Sequence, residues 1–180
     1  MTDAIDALSG SGDVLLGSGN LLVGANDGGA TFSGVISETG VLTKTGSGTQ
    51  LLRTKTVGMS SLPNTYTGGT VINEGTLDVQ EDENLGDAAA PLTINGGTLQ
   101  VQGENSLSTT RPTTLGSLGG TFNVAGGDAS MNFGGAITGT GFLRKTGIGS
   151  LTLAASNSYT GDTIILGGLL RLDGAGQLPD

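Results

Sequence analysis

The chain contains no cysteine, no histidine and no tryptophan, and it is short of positive charge. Without histidine there is no Ser-His-Asp or Cys-His nucleophilic triad and no histidine-bearing zinc site. Without cysteine there is no thiolate chemistry. Seven basic residues stand against sixteen acidic ones, for a net charge of −9. The basic residues Lys44, Arg53, Lys55, Arg111, Arg144, Lys145 and Arg171 are scattered, so the footprint that nucleic-acid binding needs is missing and no nucleic-acid partner is expected. The acidic balance favours solubility and disfavours attraction to an anionic membrane surface. No run of about 18 apolar residues exists, so direct membrane insertion of these residues is not expected. No charged-then-apolar leader precedes Asp13, and residues 1–12 read as the start of an excised piece.

What is abundant is glycine, 35 of 180 residues, against a usual share of about 7%. There is no Gly-X-Y period, which sets collagen aside. Hydrophobic residues at 35% and a slightly positive mean hydropathy set disorder aside as well. Glycine turns corners here, and the corners separate copies of one phrase. Residues 72–80 read INEGTLDVQ and residues 94–102, 22 positions on, read INGGTLQVQ, with seven of nine positions identical. Alternate side chains of a strand face opposite ways, which places Leu77 and Val79 inward and Asp78 and Gln80 outward, and likewise Leu99 and Val101 inward. Residues 119–124 (GGTFNV) supply Phe122 and Val124 a further 23 on. Residues 167–172 (GGLLRL) supply Leu170 and Leu172 as a fourth copy.

A period in the low twenties with one such strand per copy is the mark of a solenoid. The leucine-rich pattern with its helical return does not occur, and between the copies lie only Gly, Asn, Thr, Ser and Asp clusters and further short apolar runs. One coil orders its backbone for a handful of inward aliphatics, so only stacked coils are stable. The expected fold is all-β: a right-handed parallel β-helix of about 20–25 residues per coil and about eight coils, roughly 38 Å long at ~4.8 Å per strand. Residues 1–12 are expected to form a frayed lead-in or cap, and residues 13–180 a single β-helix segment.

A second, longer phrase also returns. Residues 40–49 (GVLTKTGSGT) reappear 101 positions later as residues 141–150 (GFLRKTGIGS). Each is followed by an apolar strand and then by Asn-x-Tyr-Thr-Gly, at residues 64–68 and 157–161. The second interval is 93, so eight extra residues sit in the first copy, and residues 53–63 (RTKTVGMSSLP) are expected to bulge from the column as a loop.

This order, G-x-L-x-K-T-G-x-G-(S/T)-x-x-L, then N-x-Y-T-G, then a strand and G-x-L-x-(V/L), resembles the passenger-associated repeat of Gram-negative autotransporters, over residues 36–79 and 137–172. Two departures stand out. Gln50 takes the place of Leu151, and the insertion interrupts the first copy, which puts any disturbance of packing around Leu51 and Leu52. The resemblance implies a right-handed β-helical passenger of type V secretion. Such a passenger crosses the periplasm, leaves through an outer-membrane β-barrel of the same polypeptide, expected outside these residues, and is displayed at the cell surface or secreted, often as an adhesin with a role in virulence. Lack of cysteine suits that route, because a disulfide formed in an oxidising periplasm would lock a loop that must pass a pore unfolded.

The remaining chemistry is that of carboxylates, as in β-helical polysaccharide lyases and hydrolases. The aligned outward series Asp78, Gln100, Asn123, Arg171 builds no acidic ladder. The densest acidic cluster, Glu81, Asp82, Glu83 and Asp87, lacks the alternating spacing of a calcium loop and reads as a solvated loop. Gly46, Gly48, Gly147 and Gly149 precede no helix that could bind phosphate and read as corners. Asn73 and Asn95 are expected to stack as a hydrogen-bonded rung, Tyr66 and Tyr159 to pack corners, and Phe32, Phe122, Phe133 and Phe142 to lie in the core. No catalytic residue, cofactor or metal site is expected. The candidate partner-contact loop carries Arg53, Lys55, Val57, Met59 and Leu62, since binding usually resides on loops of a rigid scaffold. The expected function is a surface-displayed stalk or adhesin, not an enzyme, that also supports its own secretion and folding. Its partner would be a host or cell-surface receptor or another passenger copy. The alternatives are a carbohydrate-active β-helix and a self-associating surface module.

Overall fold

Each short apolar run bounded by turn residues becomes a strand, and strands one coil apart pair in parallel. In the computed structural model of the chain, which describes residues 2–179, they form a β-solenoid of about 8 turns with about 22 residues per coil. Met1 and Asp180, the outer ends of the two expected segments, lie outside the described residues. Among the described residues there is no α-helix, only a 3-10 turn at Asp82–Leu85.

The column has three faces. The first is a seven-stranded sheet of Thr2–Ile5, Asn20–Val23, Val41–Lys44, Thr70–Ile72, Leu92–Ile94, Thr113–Leu115 and Ile137–Gly139. The second is a seven-stranded sheet of Thr31–Phe32, Thr49–Leu52, Thr76–Val79, Thr98–Val101, Gly120–Val124, Leu143–Thr146 and Thr163–Ile165. The third is less regular: Val14–Leu15 pairs with Ile36–Ser37, and further along Ser106–Thr109, Ser130–Phe133, Ser150–Leu153 and Leu169–Leu172 make a four-stranded sheet.

Register follows the inward alternation, because a one-residue slip would turn every buried side chain to water. Leu77 is paired with Leu99 and Leu99 with Phe122, all fully buried, so the repeated phrase builds one continuous column. Phe122 meets Phe133 of the third face edge to face, with ring centroids 5.2 Å apart.

Four expectations are corrected. Thr2–Ile5 does not fray: it pairs in parallel with Asn20–Val23, and Ile5 and Leu8 pack against the core. The supposed fourth copy, Leu169–Leu172, does not extend the Leu77 column but pairs with Ser150–Leu153 on the third face. Phe142 is only half buried and lies outward, under the Arg144 guanidinium at 4.8 Å, because its neighbour Leu143 takes the inward place. Asn73 and Asn95 do not bond side chain to side chain among the described residues; Asn95 Oδ1 instead accepts the Leu118 backbone N–H of the next corner at 3.1 Å.

The two long phrases occupy different faces. Val41–Lys44 and Thr49–Leu52 lie on the first and second faces, whereas Leu143–Thr146 and Ser150–Leu153 lie on the second and third. The second copy therefore sits four coils and one face beyond the first, a third of a turn around the axis.

Candidate functional site

The repeat phrase is a set of corners. In Lys-Thr-Gly the lysine is on the strand but its ammonium turns back beneath the corner that follows. Lys44 Nζ donates to the carbonyls of Thr45 (2.5 Å), Gly46 (2.7 Å) and, one coil on, Glu74 (3.5 Å). Lys145 Nζ donates to Thr146 (2.6 Å), Gly147 (2.9 Å) and Gly167 (3.1 Å). Both lysines are fully buried, and burial pushes both ammonium groups below their ordinary value; at Lys44 the acids Glu74 and Asp27 work against that shift. No carboxylate lies within salt-bridge distance of either Nζ among the described residues. The carbonyls supply the compensation that a buried charge requires. The next corner must leave room: Gly75 and Gly168 have φ +60 and +66, and a Cβ at either would lie 2.8 Å from the lysine Nζ and 2.3 Å from a backbone oxygen.

Asn-x-Tyr-Thr-Gly brings the chain back to the column. Asn64 Oδ1 accepts the Ile36 N–H (2.8 Å) and its Nδ2 donates to the Asn84 carbonyl (2.8 Å). Asn157 repeats this with Ile137 (3.0 Å) and Gln177 (2.7 Å). Tyr66 and Tyr159 are buried, and each hydroxyl bonds a threonine four residues on, Thr70 or Thr163, at 2.6 Å. Burial pushes both phenols up; the threonine bonds pull the other way.

Between these parts of the first copy, the expected loop is an antiparallel hairpin of Lys55–Val57 and Ser60–Leu62. A two-stranded hairpin is marginal alone in water, and this one is fastened at its base. Arg53 Nη2 meets Asp78 Oδ1 at 2.6 Å, and Asp78 is fully buried. The other Asp78 oxygen accepts from Gln100 Nε2 (2.6 Å), whose Oε1 accepts from Asn123 (2.6 Å). Thr54 bonds Glu81 and accepts from Asn84. On the opposite side Lys55 Nζ meets Asp13 at 2.7 Å, and Asp13, which also accepts the Val35 N–H, is held below the usual carboxylate range by those two bonds.

The five candidate residues thus divide. Arg53 and Lys55 are spent on anchoring, while Val57 and Met59 at the tip, and Leu62 opposite Lys55 at the base, are exposed. An open groove of about 470 Å³ runs under the hairpin, lined by Thr54, Thr56, Gln80, Glu81, Glu104, Asn105 and Ser106. Leu52 remains buried, so the insertion does not disturb the column. Gln50, in Leu151's place, turns its polarity to use: its side chain accepts the Leu8 N–H (3.0 Å) and donates to the Leu8 carbonyl (2.8 Å), fixing the first coil.

Sequence reasoning missed Asp78 and Arg111. Asp78 was read as outward, which it is, but Arg53 and Gln100 cover it; the series Asp78, Gln100, Asn123, every member able to hydrogen-bond, was the available signal. Arg111 is fully buried and donates to the carbonyls of Asp82, Leu85, Gly86, Asp87 and Ala90 and, through Nε at 2.8 Å, to the Asp82 carboxylate. The acidic run is the loop that this guanidinium gathers.

Comparison with known proteins ends each repeat at the same residue, 79 or 172, and starts it six residues later than the motif reading. The passenger-associated-transport-repeat family matches residues 42–79 and 143–172. The chain carries two passenger-associated transport repeats. Over 113 residues, 62% of this chain, it is 38% identical to the adhesin BmaC autotransporter of Brucella suis biovar 1 (strain 1330), of which it spans about 3%. No solved structure matches the chain. Both matches support the resemblance read from the motif order, a segment of autotransporter passenger with transport repeats.

Proposed function

We propose that this β-solenoid is a surface-displayed passenger segment, a stiff stalk that carries the anchored hairpin as its contact element and also supports its own secretion and folding. The observation that carries the reading is the hairpin: Val57, Met59 and Leu62 are exposed on an element tied by side chains to Asp13, Asp78, Glu81 and Asn84, on coils to both sides of it. Apolar side chains on a backbone that is already fixed spare the cost of ordering a loop on contact. The partner is a cell-surface receptor or another passenger copy, reached by export through an outer-membrane β-barrel outside these residues. The relative's name as an adhesin and the repeats' association with passengers support this reading and a non-enzymatic role.

The test is adherence of beads coated with the chain to cultured epithelial cells, with and without Val57→Ser/Met59→Ser/Leu62→Ser. Loss of adherence with an unchanged unfolding midpoint is expected. Equal adherence of both proteins contradicts the hairpin as contact element. For the secretion role, the chain fused ahead of an autotransporter barrel should lose protease-accessible surface protein when Lys44 and Lys145 are both changed to Met; undiminished display contradicts that role.

A further inference from the structure

The two repeats differ by eight residues at one place, yet the chain leaves and rejoins the column in the same way. On leaving, the Arg53 N–H donates to the Phe32 carbonyl at 2.8 Å and the equivalent Ala154 N–H to Phe133 at 2.8 Å. On rejoining, the side chains of Asn64 and Asn157 capture the Ile36 and Ile137 N–H groups, and the Thr65 and Ser158 N–H groups donate to the Ile36 and Ile137 carbonyls, both at 2.9 Å. Thr67 and Thr160 then donate to Glu38 and Gly139, again both at 2.9 Å. Between exit and return lie residues 54–63 in one repeat and only Ala155 and Ser156 in the other.

We propose that the stretch between the second strand and the Asn-x-Tyr-Thr-Gly of each repeat is an insertion port, a fixed exit and a fixed return between which the column carries surface loops of different length. The asparagine is the positioning residue of the return. Its side chain bonds the coil before and the coil after in both repeats, which holds the point of re-entry; Asn157 Nδ2 bonds the Ala155 carbonyl of the short connection as well, at 2.9 Å. The cost of a longer flexible excursion grows only with the logarithm of its length. Because the repeats are a third of a turn apart, their ports open on different edges of the column. A port of this kind stands whether or not the present hairpin binds a receptor.

The experiment moves the loop. Residues 54–63 replace Ala155–Ser156 in the full chain, and as a control the same ten residues are inserted between Gly103 and Glu104, a corner whose Asn105 bonds through its backbone alone among the described residues. The port graft gives up the bonds that Ala155 and Ser156 make to Gln177, Ala175 and Asn157, and is expected to lose less urea midpoint than the control while leaving exchange of the Ile137 amide within about threefold of the parent. Adding Asn157→Ala to the graft should speed exchange at Ile137 by about tenfold, the effect of one buried hydrogen bond. A graft that unfolds the second repeat, or that costs as much as the control, overturns the proposal. In the reverse exchange, Ala-Ser in place of residues 54–63, the Ile36 amide should stay protected; loss of that protection also overturns it.

Discussion

The first and second transport repeats share their lysine cage, asparagine return and tyrosine–threonine bond, but differ in what surrounds them. The first carries a hairpin and buries an ion pair, Arg53–Asp78. The second carries no hairpin, and its counterpart of Asp78, Arg171 in the 93-residue alignment, is exposed on the third face. The shared parts belong to the repeat; the differing parts belong to its place in the column. The same local structure arises on two different pairs of faces, so it depends on the coil before and the coil after and not on which sheet it joins.

The largest expected effect comes from the part that only the first repeat has. Asp78→Ala should lower unfolding free energy by about 2–3 kcal/mol, toward the low end for a broken buried pair because Arg53 reaches solvent. Arg171→Ala should cost less than about 0.5 kcal/mol. Urea denaturation of the two variants measures the difference, and equal losses would contradict the comparison.

The next effect should be the same in both repeats. Lys44→Met and Lys145→Met keep the stem and remove the ammonium, leaving inward carbonyls without a donor, at a cost of about 1–3 kcal/mol each. A large disparity between the two would show that the cage depends on its face. Smaller again, Tyr66→Phe and Tyr159→Phe each remove one hydroxyl bond and should cost about 1 kcal/mol.

Alkaline pH sets the shared groups against one another. The raised phenols keep their protons where the unfolded chain has lost them, so stability should fall as pH rises above the ordinary tyrosine value of 10.0. The lowered lysines act oppositely: approaching 10.5 the unfolded chain still holds protons that the folded one gives up, so their contribution rises with pH there. The double variant Tyr66→Phe/Tyr159→Phe should therefore lose less of its urea midpoint than the parent above pH 10; an identical loss would contradict the assignment.

The column was legible in the sequence because period-two alternation within strands and a period near twenty-two between them both point to one inward set, Leu77, Leu99 and Phe122. The hairpin was legible as a surplus of eight residues. What escaped depends on contacts between distant coils. Asp78 is outward by alternation and buried because Arg53, across the hairpin base, and Gln100, one coil on, lie over it. Leu170 looked like Leu77 because the phrase around it is similar, but phrase similarity carries no information about which face a strand occupies. Lys44 and Lys145 were visible as repeated residues, yet their burial needs the carbonyls of their own corner, which composition does not reveal.

The central claim, one repeat structure on different faces, is tested most directly by disulfide trapping in a chain that has no cysteine of its own. Arg144 is the strand partner of Thr121, whereas Thr114 lies on another face, partnered by Thr138. With Thr121→Cys and Arg144→Cys together, mild oxidation should give a rapid intramolecular crosslink, and with Thr114→Cys and Arg144→Cys none. A crosslink in the second pair and not the first would place the second repeat on the same faces as the first and contradict the account.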